Sequence, residues 1–167
     1  MPARSLTDAR WQLRATEEIK RLKARYFATL DAKRWDEFGA LFTPDCEFIT
    51  YRLGSSAPPK RRCGPEEIVA SVRRSVDAAV TVHCGHLVQI EFHSPEEASQ
   101  DAAVGDYSGA ATWEMTDYVE FPDYIEFPDG KSRRILQGTG HYYEQYRLRD
   151  ERWLISRLEL RRVERGG

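Results

Sequence analysis

"IKRLKARYFATLDAKRWDEFGALFTPDCEF", residues 19–48, decides how the chain begins to fold. Ile19, Leu22, Tyr26 and Leu30 recur at steps of three and four while Lys20, Arg21, Lys23 and Arg25 turn away. This spacing predicts one long amphipathic helix from about Leu6 to Leu30. Trp35, Phe38, Leu41 and Phe42 then share one side of a short second helix over 34–42, which "TPD" at 43–45 ends. With "CEFITYRL", 46–53, the period changes from helical to strand-like.

Further along, "GSSAPPKRRCGP", 54–65, has the Gly, Ser, Pro and charge content of a solvent loop. Pro65 fits the first position of a third helix, "PEEIVASVRRSVDAA", with Glu66 and Glu67 near its positive end. Everything after it reads as strand and turn: 81–93, about 98–121, 133–149 and the closing "RWLISRLELRRV". Helices followed by a strand meander predict an α+β domain, with the helices gathered on one face of a curved antiparallel sheet and a pocket between them.

A length of 167 residues suits a single domain spanning 1–167, with its core at about 12–162 and tails at 1–10 and 163–167. Net charge is −2 and the basic residues are interspersed with acidic ones, so no nucleic-acid partner is expected; "RRVER", 161–165, reads as a solvated tail. No apolar stretch approaches membrane-spanning length and the N-terminus lacks a signal-type apolar region, so the expectation is a cytoplasmic protein without a membrane partner. Cys46, Cys63 and Cys84 are odd in number and form no CxxC pair, which fits reduced thiols. Metal ligation is not expected, because His83 and His86 lack the i, i+4 helical spacing and the cysteines are dispersed. Neither GxGxxG nor GxxxxGK[ST] occurs, and no cofactor is expected.

"TVHCGHLVQIEF", 81–92, poses a problem of phase. Strict alternation places Val82, Cys84, His86, Val88, Ile90 and Phe92 on the apolar face, which turns His86 inward and His83 outward. In "GTGHYYEQYRL", Thr139, His141, Tyr143, Gln145 and Arg147 share one face and Tyr142, Glu144, Tyr146 and Leu148 the other; alternation leaves open which lines the pocket. Trp113 and Met115 share a face of the preceding strand as pocket wall or plain core, and Tyr51 stands at a strand end. "YVEFPD", 118–123, is repeated at once as "YIEFPD", 124–129, a duplication that reads as a lengthened hairpin or as a gating or interface loop.

Residues 19–48, "TVHCGH" at 81–86 and "GHYYEQYRLRDERWLISRLEL" at 140–160 together resemble the SnoaL-like branch of the nuclear transport factor 2-like superfamily. The resemblance spans about Thr16 to Arg162 and implies a cone-shaped α+β barrel, its sheet bent around the first helix. Members include scytalone dehydratase, bile-acid dehydratase, hexachlorocyclohexane dehydrochlorinase, ketosteroid isomerase and polyketide cyclases. The dehydratase and dehydrochlorinase types imply a histidine base at His83 ("TVH"), an orienting aspartate at Asp31 ("YFATLD") and a substrate-polarising tyrosine at Tyr26. An aspartate at a helix end also serves to bind backbone N–H groups, a reading that spacing alone leaves open.

The resemblance and the alternation are reconciled if Cys84 and Gly85 form a β-bulge, since one extra residue shifts the phase and brings both His83 and His86 inward. An imidazole, half-titrated near neutrality, suits proton abstraction beside a carbonyl or a leaving group. The expected site is therefore His83, Asp31 and Tyr26 in catalysis, with His86, His141, Tyr51, Trp113 and Met115 against the substrate. The expected function is a cofactor-independent acid/base enzyme that dehydrates, eliminates from or isomerises a hydrophobic, cyclic small molecule. The rivals are a non-catalytic small-molecule binder, marked by a His83 and Asp31 that do not touch, and a protein-interaction subunit. The resemblance also implies a homodimer or homotrimer.

Overall fold

Asp8 opens the first helix, its side chain accepting the Arg10 backbone N–H at 2.9 Å, as an N-cap aspartate does. In the computed structural model, which describes residues 8–51, 58–93, 107–126 and 130–163, this helix, α1, spans Ala9–Asp31. Ala15, Ile19, Leu22, Tyr26, Phe27 and Leu30 form its buried stripe. Two further helices follow, α2 (Trp35–Gly39) and α3 (Gly64–Val76). The strands are β1 (Phe42–Thr50), β2 (Lys60–Cys63), β3 (Val80–His93), β4 (Ser108–Glu126), β5 (Ser132–Arg149) and β6 (Arg152–Arg162).

The six strands form one curved sheet in the order β2-β1-β6-β5-β4-β3, antiparallel throughout except where β1 runs parallel to β6. The sheet is open, with β2 and β3 as its edges. Along β4 the residues Gly109, Ala111, Trp113, Met115, Asp117 and Val119 alternate inward, and along β5 the inward set is Gly140, Tyr142, Glu144, Tyr146 and Leu148. Of these, Ala111, Trp113, Met115, Tyr142, Tyr146 and Leu148 meet the α1 stripe together with Phe38, Phe42, Ile155 and Leu158 to make the core. At the β5–β6 turn, Asp150 and Glu151 both have positive φ, 47° and 61°, as a two-residue type I′ hairpin requires.

Three local readings of the sequence are corrected. The second helix is shorter than expected because Phe42 joins β1 and pairs with Ile155; Pro44 lies in the irregular stretch between Phe42 and Glu47, where the ladder does not need its N–H. The expected loop at 54–65 contains the edge strand β2, whose "KRRC" composition is that of a charged edge. The bulge in β3 exists but lies two residues later than expected: Gly85 pairs with Met115 and Val88 with Trp113, so the extra residue falls at His86–Leu87. Thr81, His83 and Gly85 therefore share the inner face with Val88, Ile90 and Phe92, and His86 is expelled from it.

The duplicated hexapeptide extends the β4–β5 hairpin, with a register shift between Glu120 and Ile125 that leaves Pro122 and Tyr124 exposed. Residues 127–129 of the second copy lie outside the described residues, as do 1–7 and 164–167 of the expected tails at 1–10 and 163–167 and the start of the strand expected from 98. None of the helices among the described residues is long and apolar enough to cross a membrane.

Leu22 is fully buried beneath the sheet. Leu22→Ala is expected to cost about 2–5 kcal/mol in chemical denaturation, the range for a cavity that the surroundings only partly fill; a loss under about 1 kcal/mol would contradict this packing.

Candidate active site

Asp31 is the last residue of α1, and its carboxylate faces the start of β3. Oδ1 lies 2.6 Å from His83 Nδ1 and accepts the Thr81 hydroxyl at 2.8 Å, while Oδ2 accepts the His83 backbone N–H at 2.9 Å. Burial pushes the Asp31 carboxyl up, but the hydrogen bonds from the His83 ring, the His83 N–H and Thr81 outweigh it and hold the group below its ordinary range. An ionised carboxylate only accepts, so Nδ1 carries a proton, and in the neutral ring the lone pair then sits on Nε2. The His83 side chain is 7% exposed and that of Asp31 24%, which puts the dyad at the margin of the interior. The Phe27 ring lies parallel to the imidazole, centroids 6.2 Å apart.

Nε2 faces Asp117 Oδ2 at 4.0 Å, too far for a hydrogen bond. Asp117 is fully buried and engaged by Arg162, whose Nη1 donates to Oδ1 at 2.9 Å and whose Nη2 donates to Oδ2. Burial lowers the Arg162 pKa, yet the bonds and charge of Asp117 raise it on balance. Room for this pair comes from two glycines: a Cβ at Gly138 would fall on the guanidinium, and one at Gly140 would strike the β6 backbone.

Deeper inside, Lys23 pairs with Glu144, both side chains buried, and the ammonium lies 3.6 Å from the centroid of Tyr142 and 4.2 Å from that of Tyr26. Burial lowers the Lys23 pKa, with Glu144 opposing. Tyr146 donates to Glu144, and Trp113 Nε1 donates to Tyr146 Oη at 2.9 Å. The Tyr26 and Tyr142 rings meet edge to face, centroids 5.9 Å apart, and burial raises both phenols, which stay protonated at neutral pH.

Of the expected site residues, Asp31 and His83 meet directly. Tyr26 lies in the same interior but against Phe27, Phe38, Phe42 and Tyr142. Trp113 and Met115 are buried on the inner face. The other three lie away from the dyad. His86 lies exposed beyond the inner face, its Nε2 2.9 Å from Thr116 Oγ1, because it stands within the bulge. His141 belongs to the outward set of β5, beside Tyr143, since Tyr142 and Glu144 take the inner positions. Tyr51 is 40% exposed and stacked under Arg161.

Sequence reading missed Asp117, Arg162, Lys23, Glu144 and Thr81. The even-numbered inner set of β5, with Glu144 among aromatic residues, was the available signal. An outer-face cavity of about 230 Å³, lined by Gln89, Glu91, Thr112, Tyr143, Gln145 and Arg157 among others, is separate from the dyad. Among the described residues no three His, Cys, Asp or Glu side chains are grouped to hold a metal.

The sequence pattern of the SnoaL-like domain matches residues 11–159. Solved structures with the same fold include a scytalone dehydratase candidate from Novosphingobium aromaticivorans (18% identity, covering 92% of this chain and 87% of that one, TM-score 0.65). They also include a type 2 hexachlorocyclohexane dehydrochlorinase, LinA (14%, 92% and 88%, 0.62), and ActVI-ORFA from Streptomyces coelicolor (14%, 89% and 96%, 0.61). At these identities the likeness concerns the fold.

Two stability measurements check the electrostatics. Arg162→Met, which leaves Asp117 buried without its cation, is expected to cost about 3 kcal/mol; a neutral effect would contradict the pairing. Asp31 has a folded pKa below its unfolded one, so its contribution is complete above about pH 4 and is lost as pH falls through the folded value. The gap in urea midpoint between wild type and Asp31→Asn should therefore persist from pH 7 to 5 and close in stronger acid; a gap independent of pH would count against it.

Proposed function

Because this chain belongs to the SnoaL-like domain family, we propose that it is a cofactor-independent acid/base enzyme, abstracting a proton from carbon in a small hydrophobic, cyclic molecule with loss of a leaving group or migration of a double bond. The observation that carries this reading is the 2.6 Å contact between His83 Nδ1 and Asp31 Oδ1, which in the neutral ring makes Nε2 the nitrogen that can accept a proton. Related folds bear the names scytalone dehydratase and hexachlorocyclohexane dehydrochlorinase, both of which denote elimination.

In this reading His83 Nε2 takes the proton of a C–H bond, and the electron pair of that bond becomes a new C=C bond as hydroxide or halide departs from the neighbouring carbon. A departing hydroxide takes the proton back from the His83 imidazolium and leaves as water, which returns the ring to its neutral form. The Asp31 carboxylate stabilises the imidazolium that forms and keeps the ring oriented. Tyr142, in edge-to-face contact with Tyr26 and in the field of Asp117 and Arg162, is the donor assigned to a substrate oxygen, with Tyr26 supporting it. Trp113 and Met115 contribute apolar wall. His86, His141 and Tyr51 take no part, given their outward positions. A protein that only binds ligand has no need of an orienting carboxylate on His83, which favours chemistry over binding alone.

The test is turnover on a panel of cyclic β-hydroxy ketones and halogenated cyclohexanes. On a substrate so found, His83→Gln should lose about 10²–10⁴-fold in kcat and Asp31→Asn about 10²-fold or more, both with a native circular dichroism spectrum. A fully active His83→Gln enzyme would overturn the assignment.

A further inference from the structure

Lys33 follows α1 by two residues and has φ 57°, the left-handed region that favours glycine. Its N–H bonds to Leu30 O at 3.1 Å and the Arg34 N–H to Thr29 O at 2.9 Å, closing the kind of helix-ending turn in which glycine is usual. A lysine in this place needs a reason outside the turn, and its side chain supplies one. The ammonium donates to Thr81 Oγ1 at 2.7 Å, and Thr81 Oγ1 donates to Asp31 Oδ1 at 2.8 Å. An ammonium cannot accept and a hydroxyl has one proton, so the direction is fixed: Lys33 to Thr81, Thr81 to Asp31, with His83 Nδ1–H donating to the same carboxylate oxygen.

We infer that Lys33 is a positioning residue which, through the buried Thr81 hydroxyl, orders the Asp31 carboxylate as an acceptor, fixes His83 as the Nδ1–H tautomer and lowers the pH at which Nε2 binds a proton. This rests on the acid/base reading of the same site. The charged groups facing His83 are Asp31 from α1, Asp117 from β4 and Arg162 from β6, with Lys33 behind Thr81. Asp117 and Arg162 neutralise one another through two hydrogen bonds. Asp77, the other acid acting on Lys33, is itself bonded to Trp35 and Arg73. Lys33 is thus the cation whose field on the dyad is balanced chiefly by Asp31. Burial lowers its own pKa, with Asp31 and Asp77 opposing, as befits a partly desolvated ammonium whose field is screened less than on the open surface.

The experiment is a pH titration of 15N-histidine-labelled full-length protein, following the His83 ring nitrogens by long-range 1H–15N correlation in wild type, Lys33→Met, Lys33→Arg, Lys33→Gly and Thr81→Val. Wild type should show the Nδ1–H tautomer above the midpoint. Lys33→Met should raise the midpoint by about half a pH unit, about threefold in proton affinity, while Lys33→Arg stays with wild type. Lys33→Gly should show the Lys33→Met titration with an unchanged or higher Tm, because the left-handed strain is gone. Thr81→Val should give mixed tautomers. A Lys33→Met midpoint equal to or below that of wild type, or a pure Nδ1–H tautomer in Thr81→Val, would overturn the inference. The two failures are separable: a fully active His83→Gln enzyme removes the acid/base reading, whereas an inactive one alongside a wild-type Lys33→Met titration removes only the role of Lys33.

Discussion

The carboxylate of Asp31 joins the helix to the sheet. It accepts from Thr81, from the His83 backbone and from the His83 ring, so the end of α1 is pinned to the first turn-free residues of β3 by three hydrogen bonds. That attachment requires Thr81 and His83 to face inward. The apolar half of the strand, Val88, Ile90 and Phe92, must face the same core although it has the opposite parity. Both demands are met only with one extra residue between them, and the bulge at His86–Leu87 supplies it.

Ionic groups inside the sheet follow from the same constraint. Burying a charge is costly unless geometry and hydrogen bonds compensate. The interior holds two such compensated pairs: Lys23 with Glu144, bounded by aromatic rings and tied to Tyr146 and Trp113, and Asp117 with Arg162, for which Gly138 and Gly140 leave space. The second pair places a neutralised carboxylate opposite Nε2. An imidazolium formed there meets Asp31 on one side and no uncompensated cation on the other.

Much of this was legible in the sequence because periodicity reports burial. The 3.6-residue stripe of α1 and the switch to alternation after it gave the α+β architecture, while the family resemblance, through "YFATLD" and "TVH", marked two residues that the fold brings into contact. What alternation cannot reveal is a change of phase inside one strand: Gly85 hinted at the bulge, but its position is set by pairing to Met115 and Trp113 on β4, a long-range fact. The misplacement by two residues reversed His86 while leaving His83 inward. The buried pairs were hidden for a related reason. Lys23 reads as one more surface cation of an amphipathic helix, and only Glu144, more than a hundred residues away, makes its burial tolerable. Arg162, within a stretch of basic residues near the end of the chain, looks solvated until Asp117 is placed across two glycines from it.

The central claim is that His83 Nε2 removes a proton from carbon. The most direct measurement is exchange of that proton: a cyclic ketone lacking a leaving group, incubated with the protein in D2O and followed by proton NMR, isolates abstraction from any later bond breaking. The account predicts loss of the α-proton signal with wild type, suppressed to the uncatalysed rate in His83→Gln. Exchange that proceeds equally fast in His83→Gln would contradict it.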